Sequence, residues 1–230
     1  MTHPALGSDL ATPLPLLLRP GEPEAGPWRV EPLAAVVTGL MRLAGLTDRR
    51  APAVLAVDGR SSSGKTTLAG RLRDAVPGAA VVHTDDIAWA HSRFGWDDLL
   101  VSGVLRPVRS GQGVSYRPPR WDEHQRPGAI EVPAGAPLLI VEGVGAARCE
   151  VTGLIDAAIW VQADEREIEH RSRARLGRPG QAPDEQHWLD WMSEEIPFLA
   201  VQRPWERAGL VVCGTPADGC DPATELLVAS

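Results

Sequence analysis

The most explicit chemistry in this chain lies in the run Gly59-Arg60-Ser61-Ser62-Ser63-Gly64-Lys65-Thr66, with Thr67 directly after it. Glycines at Gly59 and Gly64 let a backbone turn its N–H groups inward on a chain of phosphates, a lysine after the second glycine can reach the outer phosphates, and the hydroxyl of Thr66 can bind a magnesium ion. Ser61, Ser62 and Ser63 supply the remaining N–H groups of such a cradle. The arrangement works only where a strand leads in and a helix leads out, because the helix N-terminus adds its own attraction for an anion. Both are signalled. Ala53-Val54-Leu55-Ala56-Val57 is continuously apolar, as in a strand buried on both faces of a parallel sheet, and Thr67-Leu68-Ala69-Gly70-Arg71-Leu72 opens a helix.

A triphosphate loop alone is common to kinases, GTPases, ATPase motors and ligases. Further groups have to separate these. Asp85 and Asp86 follow the next candidate strand, Ala80-Val81-Val82, which in a doubly wound sheet ends at the same carboxyl edge as the loop. A carboxylate there can take the proton of an acceptor hydroxyl or orient it for in-line attack; an acidic pair capping a turn is the plainer reading. Leu138-Leu139-Ile140-Val141 is an apolar strand ending in Glu142-Gly143, where Glu142 can hold magnesium through a water, although an acid after an apolar strand is also an ordinary surface feature. Arg171 and Arg175 are four apart and share one face of a helix predicted over residues 164 to 176. Such a pair can clamp a transferring phosphoryl group, while Glu167 and Glu169 offer both arginines surface ion pairs instead.

The elements that must position these groups are readable in outline. Further buried strands are predicted at Ala158-Ile159-Trp160-Val161 and Leu210-Val211-Val212, and helices at 96 to 104 and 184 to 201. Strands alternating with helices predict an α/β domain with a parallel sheet covered on both faces. Residues 1–28 are rich in proline and glycine and are expected to form an irregular arm; 29–230 are expected to form a single domain, opening with an amphipathic helix from Pro32 to Leu46. The proline-rich stretch 106–137 is predicted to be irregular and to wall the acceptor site. Within it Tyr116, Arg120 and Trp121, together with Asp86, are the candidate acceptor-binding residues, and Trp89 and Trp96 are further rings able to stack on an acceptor. A lid is expected near 166–183. His83, His91 and His124 lack metal-ligand spacing.

At 230 residues the chain is sized for one α/β domain, and a formal charge of −7 without basic blocks argues against a nucleic-acid polymer or an anionic membrane as partner. Cys149, Cys213 and Cys220 form no CxxC pair and read as thiols in a reducing, cytoplasmic compartment. The apolar patch Leu14 to Leu18 is broken by Pro15 and has neither a basic flank nor a cleavage pattern. No other run approaches the roughly 18 apolar residues of a membrane span.

Taken together, Val57-Asp58-Gly59 to Thr67, Thr84-Asp85-Asp86, Val141-Glu142-Gly143 and an arginine-bearing lid helix resemble the uridine kinase and phosphoribulokinase-like branch of the P-loop kinases, over residues 53 to 213. The resemblance implies a P-loop NTPase three-layer sandwich with a five-stranded parallel sheet, MgATP as donor, and a hydroxyl of a nucleoside or other small molecule as acceptor. By position it makes Asp85 the catalytic base beside the metal, Thr66 and Glu142 the metal-associated groups, Lys65 a phosphate-binding catalytic residue, Arg171 and Arg175 the lid arginines, and Tyr116 and Arg120 acceptor contacts. Related folds often pair, so a homodimer is expected. Two departures are plain: the lid reads Arg171-Ser172-Arg173-Ala174-Arg175-Leu176 where uridine kinases usually carry Arg-Arg-x-x-Arg-Asp, and Ile87-Ala88-Trp89-Ala90-His91 lacks the usual aromatic neighbour sequence. The competing readings are a nucleotide-binding regulatory module with slow hydrolysis and an ATP-dependent ligase; the Asn-Lys-x-Asp segment of a guanine reader does not occur.

Overall fold

The computed structural model describes residues 15–43, 51–176, 185–215 and 217–229. In chain order its elements are β1 (Arg29–Pro32), α1 (Leu33–Leu43), β2 (Ala53–Gly59), α2 (Lys65–Ala75), β3 (Ala80–His83), α3 (Thr84–Ala88), α4 (Asp97–Leu100), α5 (Arg106–Arg109), β4 (Val114–Tyr116), α6 (Pro119–Glu123), β5 (Ile130–Val132), β6 (Leu138–Glu142), β7 (Ala157–Gln162), α7 (Glu165–Leu176), α8 (Glu185–Gln202), β8 (Leu210–Cys213) and β9 (Glu225–Ala229). The ends of the predicted first helix (44–46), of the arm (1–14) and of the lid (177–183) lie outside the described residues.

The main sheet has the order β1-β9-β8-β7-β2-β6-β3. Its parallel part is the expected five strands, β3, β6, β2, β7 and β8. The sheet as a whole has seven strands, not five, because β9 adds antiparallel to β8 and β1 antiparallel to β9. The sequence hides β1: Arg29-Val30-Glu31-Pro32 mixes charge with apolar residues and ends in proline, as an edge strand can and an inner one cannot. Its pairing depends on Leu226 to Val228 far along the chain.

Side chains alternate across the inner strands, and both sets are apolar. Val54, Ala56, Leu139 and Val141 face one layer with Trp96, Leu100, Val104, Leu105 and Trp121. Leu55, Val57, Leu138 and Ile140 face the other, with Val36 and Leu40 of α1 and Leu68 and Leu72 of α2. From β2 the chain goes first to β3 and β6 on one side and then to β7 and β8 on the other, so a crevice opens at the carboxyl ends beside β2.

The stretch 106–137 is more regular than expected. A π-helical turn, Val101–Leu105, joins α4 to α5, and the widened turn accommodates Pro107 at the start of α5 where an α-helix would be broken. β4 and β5 then form an antiparallel ribbon flanking α6. The described part of the arm, 15–28, has no helix or strand yet is docked: the Leu17 N–H donates to Asp164, Glu22 accepts the indole N–H of Trp160 at 2.8 Å, and Trp28 is buried. No described helix is long and apolar enough to cross a membrane.

The loop after β6 is packed hard against α3. Gly143 has φ +145°, and a Cβ there would overlap the hydroxyl of buried Thr84. Replacing Gly143 with alanine is therefore expected to destabilise the fold by more than about 2 kcal/mol, measured by urea unfolding.

Candidate active site

The phosphate-type loop takes the shape its residues predict. β2 is buried along its length, and at its end Gly59 comes so close to β7 that a Cβ would stand 2.7 Å from the Val161 carbonyl. Ser62 and Gly64 both have positive φ, turning successive N–H groups toward one concavity. Gly64 precedes α2 without a side-chain cap, so the first-turn N–H groups of the helix face the cleft. Lys65 is buried, and its Nζ donates to the Arg60 carbonyl at 2.7 Å, within the loop it serves. Ser61, Ser62, Gly64, Lys65, Thr66 and Thr67 line a cleft of about 780 Å³, a ligand-sized volume. Gly59 and Ser63 shape the loop without lining the cleft.

The acidic edge lies across from this cradle. Strand register sets Glu142 beside Val57 on one side and His83 on the other. Its Oε1 accepts the Thr66 hydroxyl at 3.2 Å and its Oε2 is 2.6 Å from His83 Nδ1. Burial pushes the Glu142 carboxyl up, but the His83 hydrogen bond, Lys65 and Thr66 outweigh it and hold the group below its ordinary value. The same hydrogen bond raises His83. Asp85, in the first turn of α3, is accessible and lines the cleft. Desolvation by the cleft floor raises its carboxyl, with Lys65 opposing and Glu142 reinforcing the shift.

An ion such as Mg²⁺ prefers oxygen ligands, keeps several waters and is completed by phosphate oxygens. The Thr66 hydroxyl and the Glu142 carboxylate at the loop fit that role, and no group of three or more His, Cys, Asp or Glu among the described residues forms a self-sufficient metal cage.

The two lid arginines differ. Arg171 donates to Glu167, to the Ser62 carbonyl and to the Gly214 carbonyl at 2.9 Å, while Ser172 donates to Ser62 Oγ, so this turn of α7 is fastened to the loop. Arg175, one turn on, is exposed, lines the cleft and has no ion-pair partner among the described residues. Asp86, Tyr116, Arg120 and Trp121 do not line the cleft. Asp86 pairs with Arg126, whose guanidinium lies 3.8 Å from the Trp121 ring centroid and 5.0 Å from that of Trp89. Trp121 and Trp96 are buried, Arg120 pairs with Glu123 on the surface, and Tyr116 packs over Gly103.

Sequence reasoning missed Asp58, His83, Glu195, Trp188 and Trp191. Asp58, preceding the loop, is wholly buried; Oδ1 accepts the N–H groups of Gly59 at 2.7 Å and Gly145 at 2.9 Å, and Oδ2 that of Ala147 at 2.8 Å. Burial pushes it up to about 6 against these three donors. Glu195 of α8 accepts the Ser61 N–H at 2.6 Å. An acid in an otherwise apolar strand was a readable signal for Asp58; the others carry none.

No protein-family model matches the chain, and no curated protein matches it. Among solved structures it is similar to a possible uridine kinase from Bacillus stearothermophilus, at 19% identity and TM-score 0.50 over 78% of this chain and 98% of that one. It is likewise similar to a candidate fructose transport system kinase from Silicibacter sp. TM1040, at 19% identity and TM-score 0.51 over 81% and 97%. The chain therefore shares their fold, a mostly parallel sheet between helical layers.

Asp58→Asn would set an amide donor against backbone donors. It is expected to destabilise the protein by more than about 2 kcal/mol, read as a lower urea midpoint, with Ser61→Ala as a neutral control.

Proposed function

We propose that the chain is an ATP- and magnesium-dependent kinase that transfers the γ-phosphoryl group to a hydroxyl of a small, nucleoside-like molecule. The observation that carries this reading is that Lys65, Thr66, Asp85, Glu142 and Arg175 face one cleft at the carboxyl edge of the sheet. The likeness in fold to two proteins named as kinases supports it. ATP is a cytoplasmic metabolite, and we place the reaction there.

In this mechanism the loop N–H groups and the N-terminus of α2 hold the phosphates, and Lys65 leaves the Arg60 carbonyl to bind their outer oxygens. Thr66 and Glu142 would hold the magnesium ion, which when bound neutralises phosphate charge. Asp85 takes the proton of the acceptor hydroxyl as its oxygen bonds to the γ-phosphorus, and the bond from that phosphorus to the bridging oxygen breaks to release ADP. Arg175 stabilises the charge spread over the moving phosphoryl oxygens. Arg171 keeps the lid on the loop.

Asp85→Asn is expected to retain ATP binding and to lose phosphoryl transfer by roughly 10²-fold or more, with the product followed by mass. Wild-type turnover in that variant would remove Asp85 as the base. Since its carboxyl is raised above the ordinary aspartate value and must be ionised to accept a proton, kcat/KM should fall on acidification with a midpoint above that of an ordinary aspartate, and this acid limb should be absent in the variant. Free phosphate as the sole product with every acceptor would favour the regulatory module.

The lid arginines should separate. Arg175→Ala is expected to lower kcat roughly 10²-fold with little change in melting temperature, whereas Arg171→Ala should lower the melting temperature and weaken ATP binding together. Equal effects of the two substitutions on both measurements would contradict the division of labour.

A further inference from the structure

Helix α8 presents a set of side chains to the cleft that the mechanism above does not use. Glu195 is buried, and its bond to the Ser61 N–H pins this point of the helix to the phosphate loop. Trp191 and Trp188, four and seven residues earlier, continue the same helical face. At 1.5 Å per residue they stand roughly 6 and 10 Å outward from that pin. Both line the cleft, as does His187.

Trp191 lies toward the acidic end of the cleft, and Trp188 follows it one turn out along α8. Val144, two residues beyond Glu142, packs with Trp191 in one apolar cluster. The other end runs past Leu68 and Arg71 to Cys213, Cys220 and Leu226, beyond the N-terminus of α2, and is the room left for the nucleotide base. An acceptor whose hydroxyl must meet Asp85 has to enter at the acidic end, alongside α8.

Trp191 is braced from behind. Its ring centroid is 5.6 Å from that of Phe94, which in turn stacks at 4.3 Å on Phe198. A half-buried ring held in this way is a preformed surface for another ring. The hydrogen-bonding side chains that line the cleft at this end are Asp85, Glu142, Arg175, His187 and the indole N–H groups of Trp188 and Trp191, and the first three are engaged in the transfer itself. A polyol would bury hydroxyls with few partners, which is unfavourable.

We infer that Trp188 and Trp191 form the wall that recognises the acceptor, and that the acceptor carries a flat, largely apolar ring next to the hydroxyl that is phosphorylated. This rests on the kinase reading above and places recognition on α8 instead of segment 106–137. The acceptor ring stacks on the tryptophans while its hydroxyl projects between Asp85 and the γ-phosphate.

The test is a panel with MgATP: ribonucleosides, hydroxymethyl-substituted pyridines and pyrimidines, pyranoses, and open-chain polyols, scored by mass for gain of one phosphoryl group. Phosphorylation confined to compounds with an aromatic ring is expected. With the best of them, Trp188→Ala and Trp191→Ala should each raise the acceptor KM roughly 10-fold and leave the ATP KM within about twofold, and Trp191→Phe should recover most of the loss. Trp188 is only half-buried, so its variant keeps the experiment readable even if Trp191→Ala unfolds, as a thermal melt would show. Preference for a pyranose or an open-chain polyol, an unchanged acceptor KM in Trp188→Ala, or an equal rise in the ATP KM would overturn the inference while leaving the kinase intact. Phosphate transfer to no acceptor at all would overturn both.

Discussion

A single buried carboxylate holds the two halves of the site in register. Asp58 sits where β2 ends, and its oxygens accept N–H groups from the phosphate loop at Gly59 and from the loop after β6 at Gly145 and Ala147. An ionised carboxylate is acceptor-only with room for several donors, so it can knit two converging backbones without any side chain crossing the space that a ligand needs. Burial works against its charge and pushes it up to about 6; the three donors and the nearby Lys65 work for it. Were this junction loosened, the phosphate cradle and Glu142 would no longer share a fixed geometry. Gly59 and Gly143, each pressed against a neighbouring atom, show how little slack the junction has.

The charges around the cleft are arranged about that frame. A protein with a net charge of −7 must attract a triphosphate locally, and on the kinase reading it would do so with oriented N–H groups, the α2 terminus, Lys65 and Arg175. Two carboxylates, Asp85 and Glu142, face the same space and oppose an anion. Their presence makes electrostatic sense where a divalent cation joins the phosphates, because the ion reverses the local sign. Glu142 is suited to it: held below its ordinary value, it remains ionised. Asp85 is shifted the other way, raised above its ordinary value by desolvation, which favours taking up a proton. The split between neighbouring acids is the kind of division that lets one bind metal and the other move a proton.

What could be read in the sequence follows from the range of the interaction involved. β2, the loop and the start of α2 are contiguous, and their pattern of apolar run, glycine turn and Lys-Thr is legible because each part contacts its chain neighbours. The other parallel strands, β3, β6, β7 and β8, were legible as apolar runs for the same reason. The antiparallel strands β1 and β9 were not, since Arg29–Pro32 becomes a strand only by pairing with Glu225–Ala229. Pro107 signalled irregular chain, and the π-turn before it is the local adjustment that lets the helix continue. Asp86 followed Asp85 in sequence, yet in the fold it belongs to the Arg126 and Trp121 cluster, because successive residues of a helix point about 100° apart. The tryptophans of α8 come to line the same cleft as Glu142 only after the sheet has assembled.

Two helices close over the loop, and each is fastened to a different one of its residues. Ser172 of α7 bonds to Ser62, and Glu195 of α8 bonds to the Ser61 N–H. Arg171 adds a third tie, from α7 to the Ser62 carbonyl and across to Gly214. The working residues lie just beyond these ties, Arg175 one turn along α7 and Trp191 one turn back along α8. On the kinase reading, a shift of Ser61 and Ser62 on phosphate binding would be passed directly to both helices. The arginine that would meet the γ-phosphate and the ring that would meet the acceptor are thus positioned by the same short stretch of backbone. On the kinase reading, a loop that is both cradle and anchor would tie occupation of the nucleotide end to the geometry of the acceptor end, with no longer path needed between them.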